Sequence, residues 1–150
     1  MSITPTFSVK LDLVEDYVFK VDFGDLGDIM TDEPPPLGKG EGPNPSRLVA
    51  AAVANCLCAS LLFALRKQKD APTGVHAVVS GALERQDGRW RIGGLDVAMV
   101  VDDAGLLPHL PTVLETFEDF CVVTQSIRQG IPVSVTVRDA EGRWLKGGDA

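Results

Sequence analysis

An α+β fold is expected for this chain of 150 residues, on three observations. Two pairs of segments alternate apolar and polar residues as half-buried strands do, and each pair is closed by a short turn. One long run is apolar on nearly every side and reads as a buried helix. The hairpins are separated by helices, in the order β-β-α-β-β-α-β, which excludes a doubly wound parallel sheet. At this length residues 1–150 form one domain with its own core.

The first strand rests on Phe7, Val9, Leu11 and Leu13 alternating with Ser8, Lys10 and Asp12. Glu15-Asp16 makes the turn, and Tyr17, Phe19, Val21 and Phe23 carry the return strand. From Gly24 to Pro43 the chain is rich in Gly, Pro and acidic residues, including Pro34-Pro35-Pro36, and is expected to be a stiff loop. Asp32-Glu33-Pro34 lies within it and is read as solvated loop rather than as a lid.

The helix then starts at a defined point. Asn44 is a good N-cap, and Pro45 takes the first helical position, where a missing N–H costs nothing. Apolar residues on almost every face through Leu65 predict burial all round. Arg66, Lys67 and Lys69 suit the negative end of the helix, and Pro72-Thr73-Gly74 ends it.

Val75 to Arg85 and Arg89 to Val101 form a second hairpin around Asp87-Gly88. Pro108 and Pro111 precede a helical region from Thr112 to Gln129, stopped by Gly130, and a last strand carries Val133, Val135 and Val137. So apolar a central helix needs cover on every side, either from two sheets or from a sheet and a partner subunit, and a homodimer is expected.

Composition narrows the function. A hydrophobic share of 45% and a charged share of 23% are those of an ordinary globular protein. A net charge of −7 with no basic cluster argues against nucleic acid as a partner. Residues 1–16 lack the basic and apolar regions of a secretory signal. The apolar run Leu48 to Leu65 is interrupted by Asn55 and Ser60 and is read as a core helix, not a membrane span. A cytoplasmic protein is expected. There, three cysteines read poorly as a disulfide framework and are either core thiols or reagents.

Cys56 lies in the central helix and Cys121 in a second apolar helical run, Phe120-Cys121-Val122-Val123-Thr124-Gln125-Ser126-Ile127. Gly42-Pro43-Asn44-Pro45 leads into the Ala-rich helix that carries Cys56, and Gly130-Ile131-Pro132-Val133 follows Cys121. In these features the chain resembles the OsmC/Ohr family of thiol-dependent hydroperoxide reductases. The resemblance implies an OsmC-like fold: two sheet elements around a long buried helix, in an intertwined homodimer with its cysteines near the interface. It also implies that Cys56 attacks an organic hydroperoxide, that Cys121 resolves the sulfenic acid as a disulfide, and that a dithiol reductant restores both. No cofactor is implied. The alternative on the same scaffold is a dimer that binds a small apolar ligand and has no peroxidase activity.

Two positions depart from the active peroxidases of the family. Ser46 stands where they carry a glutamate directly after the helix-opening proline, and no arginine precedes Arg47, whereas they have one in the N-terminal strand region. The thiol still needs a cation, because a free cysteine is only slightly ionised at neutral pH and apolar surroundings suppress ionisation further. Cys56 lies too far along its helix for the N-terminal dipole to help. Arg47 falls on the opposite helical face, roughly 13 Å away along the axis. The candidates are therefore Arg47 of a partner subunit, or Lys20 or Lys39 of this chain. For Cys121 two readings stand: the first turn of a short helix capped by Asp119, where the dipole favours a thiolate, or the middle of a continuous helix.

The remaining candidates read blandly. Cys58 is a core residue, and no zinc-like spacing joins Cys56, Cys58, Cys121, His76 and His109, so no metal site is expected. His76 is placed on an exposed strand face and His109 in a loop between prolines. Glu115, Glu118 and Asp119 are expected to form a solvated helix face. Leu48, Val49, Val53 and Leu57 are expected to build an apolar substrate site.

Overall fold

The computed structural model describes residues 5–148. An N-terminal sheet is formed by β1 (Lys10–Glu15), β2 (Val18–Asp22) and β3 (Asp28–Thr31), all antiparallel. The helix α1 (Pro45–Lys67) follows, then a long hairpin of β4 (Val75–Gln86) and β5 (Arg89–Val101). The C-terminal part holds α2 (Leu110–Thr116), a short 3-10 turn at Phe117–Phe120, and α3 (Val122–Gln129). It ends in two short paired strands, β6 (Val137–Arg138) and β7 (Trp144–Lys146).

α1 starts as its sequence requires: the Asn44 side chain accepts the Arg47 N–H at 3.0 Å, with Pro45 in the first turn. The core lies along one side of it, where Val53, Leu57, Leu61 and Leu65 meet Leu107, Leu110, Val113 and Phe117. These helical positions recur every four residues and so form one stripe. Partly buried Leu95, Val97 and Met99 close the core from β5.

Four expectations are corrected. The helix is not buried all round: Ala51, Ala52, Asn55, Ala59 and Phe63 are exposed in the single chain, because the β4–β5 hairpin and the C-terminal helices cover one side only. The segment 24–43 is not all loop. Ile29 and Met30 pair with Val21 and Lys20, and this third strand was hidden by its flanking glycines and aspartates. The helix expected over residues 112–129 breaks in three, since residues 117–120 tighten into a 3-10 turn and Cys121 takes an extended conformation (φ −83°, ψ 98°). Of the last strand only Val137 is paired; Val133 and Val135 are outside any ladder and exposed.

The segment after β3 is organised by Asp32, which is buried despite its charge. Its carboxylate accepts the backbone N–H groups of Glu33, Lys39 and Glu41. The Glu41 bond chiefly holds its pKa below the ordinary carboxylate value, against the opposing effect of burial. Gly38 is required here, since a Cβ would run into the Glu33 carbonyl and the Asp32 carboxylate. Asp32 is a buried organiser of this loop rather than a solvated residue.

Candidate active site

The two cysteines of interest come from elements far apart in sequence and meet at the core. Cys56 and Ser60 are one turn apart on the same face of α1. Cys121 is fully buried and stands at the N-cap of α3, so neither reading of its helix holds: Asp119 does not cap it, and it is not mid-helix. Cys121 itself is the boundary residue, and its carbonyl accepts the Gln125 N–H as the first bond of α3.

The Cys121 thiol donates to Thr124 Oγ1 at 2.9 Å. Burial pushes this thiol up, but hydrogen bonds from Cys56, Thr124 and Ser60 more than offset it and leave it below its ordinary value. Three polar side chains thus surround one sulfur in an otherwise apolar core. Cys56 is half-buried, the more accessible of the two. All three cysteines are free thiols, and burial raises the Cys58 thiol, as suits a packing residue.

A cavity of about 580 Å³ adjoins the pair. Val49, Val53 and Leu57 line it from α1, and Ile92, Leu95 and Met99 from β5. Leu48, expected among these, is absent from the lining: Val49, Val53 and Leu57 share a stripe, and Leu48 lies about 100° off it. Thr124 lines the cavity and also bonds Cys121, so it connects the apolar space to the thiols. Neither sulfur lies in the lining.

Within the single chain, Ser46, Arg47, Lys20 and Lys39 do not line this cavity. Ser46 and Arg47 line a separate surface hollow beside Val79 and Ala82, and Arg47 is exposed in the first turn of α1. Lys20 pairs with Asp28 and Lys39 with Asp16, so both lysines are engaged in the N-terminal region. The cation brought to the cavity is Arg128, paired through Nη2 with Glu118, and both line the space. Glu118 was expected on a solvated face. It stays partly exposed but also borders the cavity, and no spacing rule links residues 118 and 128 in sequence. Ser60 was also missed, although its place four residues after Cys56 was a usable signal.

Both histidines sit beside carboxylates. His76 is exposed and contacts Asp102 at 2.9 Å. His109, expected in a loop, is the N-cap residue of α2, and both its backbone N–H and its Nδ1 meet the buried Asp70 carboxylate. No group of three or more metal-ligating side chains occurs among the described residues.

The profile of the family described as OsmC-like protein matches residues 38–136, from the loop before α1 to the start of the last strand pair. No curated protein sequence matches significantly. Among solved structures, an OsmC-like protein of unknown function from Vibrio cholerae superposes with a TM-score of 0.68 at 16% identity, covering 82% of this chain and 94% of the other. The organic hydroperoxide resistance protein OsmC from Legionella pneumophila gives 0.65 at 18% identity, with 85% and 92% covered. Organic hydroperoxide resistance protein OhrB of Bacillus subtilis gives 0.62 at 20% identity, with 81% and 91% covered. At such identities the superpositions establish a shared α+β fold, and the profile match establishes kinship: this chain belongs to the OsmC-like family.

Proposed function

We propose that this protein is a thiol-dependent peroxidase that reduces organic hydroperoxides, acting as a cytoplasmic homodimer. The observation that carries the reading is the pairing of an accessible thiol, Cys56, with a buried thiol, Cys121, whose ionisation is favoured by three hydrogen-bonding side chains. Burial excludes Cys121 from bulky substrates, which leaves Cys56 to meet the peroxide. Solved structures bearing the name organic hydroperoxide resistance protein share the fold and support the same direction.

In the first step the Cys56 thiolate attacks the outer oxygen of ROOH. The O–O bond breaks, Cys56 becomes a sulfenic acid, and the alkoxide leaves as ROH after taking a proton. In the second step the Cys121 thiolate attacks the Cys56 sulfur, the S–O bond breaks, and hydroxide leaves as water once protonated. A lowered thiol pKa keeps Cys121 ready for this attack. A dithiol reductant then returns both cysteines to thiols and is itself oxidised to a disulfide. Apolar cavity walls favour substrates with an apolar body over hydrogen peroxide, because burial rewards only a substrate with apolar surface to bury.

One observation favours a second reading, an apolar-ligand-binding dimer without peroxidase chemistry: neither sulfur lies in the cavity lining. A free-thiol count before and after one equivalent of cumene hydroperoxide separates the two. Rapid loss of two thiols in the parent, abolished in Cys56→Ser, is the outcome expected of the peroxidase. Three unreactive thiols would sink it and leave the ligand-binding dimer.

A further inference from the structure

The cavity beside the thiols has one charged feature. Apart from Thr124, its lining is apolar or glycine except for Glu118 and Arg128. A ligand whose body fills the apolar part therefore meets a charge only there.

The placement of that charge follows from α3. Thr124 and Arg128 are four residues apart and share a face of α3, and Thr124 holds the thiol of Cys121, the N-cap residue of that helix. Long side chains on a helix lean back towards its N-terminus. Arg128 does so, since it reaches Glu118, which precedes both Cys121 and the helix. The guanidinium thus extends back along the wall on which Thr124 bonds Cys121.

We propose that Arg128 is the head-group determinant of this site: it selects substrates that carry a carboxylate on an apolar body, with Glu118 holding the guanidinium until that carboxylate arrives. The proposal rests on the reading that the cavity serves the thiol pair. Glu118 engages Arg128 through Nη2, and the other guanidinium nitrogens make no further hydrogen bond among the described residues. An arginine carries five N–H donors in a planar fork, so donors remain for an incoming carboxylate. The Glu118–Arg128 pair is about half exposed, and such a pair is weakly held because water and salt screen it. A carboxylate delivered by a ligand already anchored in the cavity has a local advantage over it. The net charge of −7 repels anions at long range, so anion selection has to come from a local cation.

The test compares thiol consumption by linoleic acid hydroperoxide with that by its methyl ester, read as the ratio of the two rates. The parent is expected to favour the acid by about tenfold, the scale of one charge-assisted hydrogen bond. Arg128→Gln should bring the ratio towards unity, and Arg128→Lys should restore part of it. Glu118→Gln should raise the ratio, because a competing carboxylate is gone. A merely structural ion pair would move the ratio the same way in both Arg128→Gln and Glu118→Gln, or not at all, and either result overturns the proposal. If neither hydroperoxide consumes thiols, the peroxidase reading has failed, and calorimetric binding of decanoate against decanol then decides. Preferential decanoate binding, lost in Arg128→Gln and strengthened in Glu118→Gln, upholds the anion site; equal binding, or none, overturns it.

Discussion

Cys121 shows how one residue acquires chemistry from its neighbours. Alone in an apolar core, a thiol would be inert, since burial disfavours its charge. Thr124, Ser60 and Cys56 reverse that balance. A hydroxyl can accept from the thiol and, after rotation, donate to the thiolate, which makes Thr124 suitable for both states. Replacing Thr124 with Val removes this bond at nearly constant volume and should raise the thiol pKa. Fewer Cys121 thiolates would then attack the Cys56 sulfenic acid, and disulfide formation at neutral pH should slow about tenfold, the scale of one hydrogen bond to a charged group. Stopped-flow measurement of resolution against pH checks this. The rate profile should move to higher pH in the variant, and an unmoved profile would remove Thr124 from the mechanism.

Among the elements, the junction of α1 and α2 is set by a buried carboxylate. Asp70, just past the end of α1, takes both the backbone N–H and Nδ1 of His109 at the start of α2. Burial pushes the Asp70 carboxyl up, but the His109 bonds outweigh burial and hold it below the ordinary carboxylate value. A carboxyl depressed in the folded state contributes stability above its unfolded pKa, and that contribution is lost as pH falls through the folded value. Asp70→Asn should therefore unfold more easily than the parent at neutral pH. The gap should close on acidification below the carboxylate range, as seen by urea titration across pH. A gap constant with pH would assign the loss to shape rather than charge. The apolar pattern over residues 112–129 reads as one helix, yet the break at Cys121 is what faces its thiol to α1, while Glu118 borders the cavity.

At the scale of the molecule, the single chain leaves much apolar surface open. Leu11 and Leu13 on β1, Phe63 on the outer face of α1, and Val133 and Val135 near the C-terminus are all exposed. Exposed apolar side chains on these elements are what a second copy would cover. The alternation in β1 and the apolar character of α1 make sense if a second copy covers them. Sedimentation equilibrium at micromolar concentration should give twice the 16.0 kDa chain mass. A monomer at that concentration would leave those faces without cover and contradict the homodimer.

What the sequence alone determined is local. Asn44 and Pro45 start α1, Asp87-Gly88 turns the long hairpin, and strand alternation defines the two main hairpins, because caps, turns and periodicity depend on residues within a few positions of each other. Cys56 and Cys121 are singled out in the sequence through a family pattern and not through spacing. Only the tertiary structure decided that Ser60 and Thr124 gather round Cys121, that Ser46 and Arg47 stay outside the cavity, and that Glu118 and Arg128 line it. Those relations join side chains across separate elements. Their geometry depends on how α1 and α3 pack and on where the chain breaks at Cys121, and packing over such separations leaves no periodic trace in a single sequence.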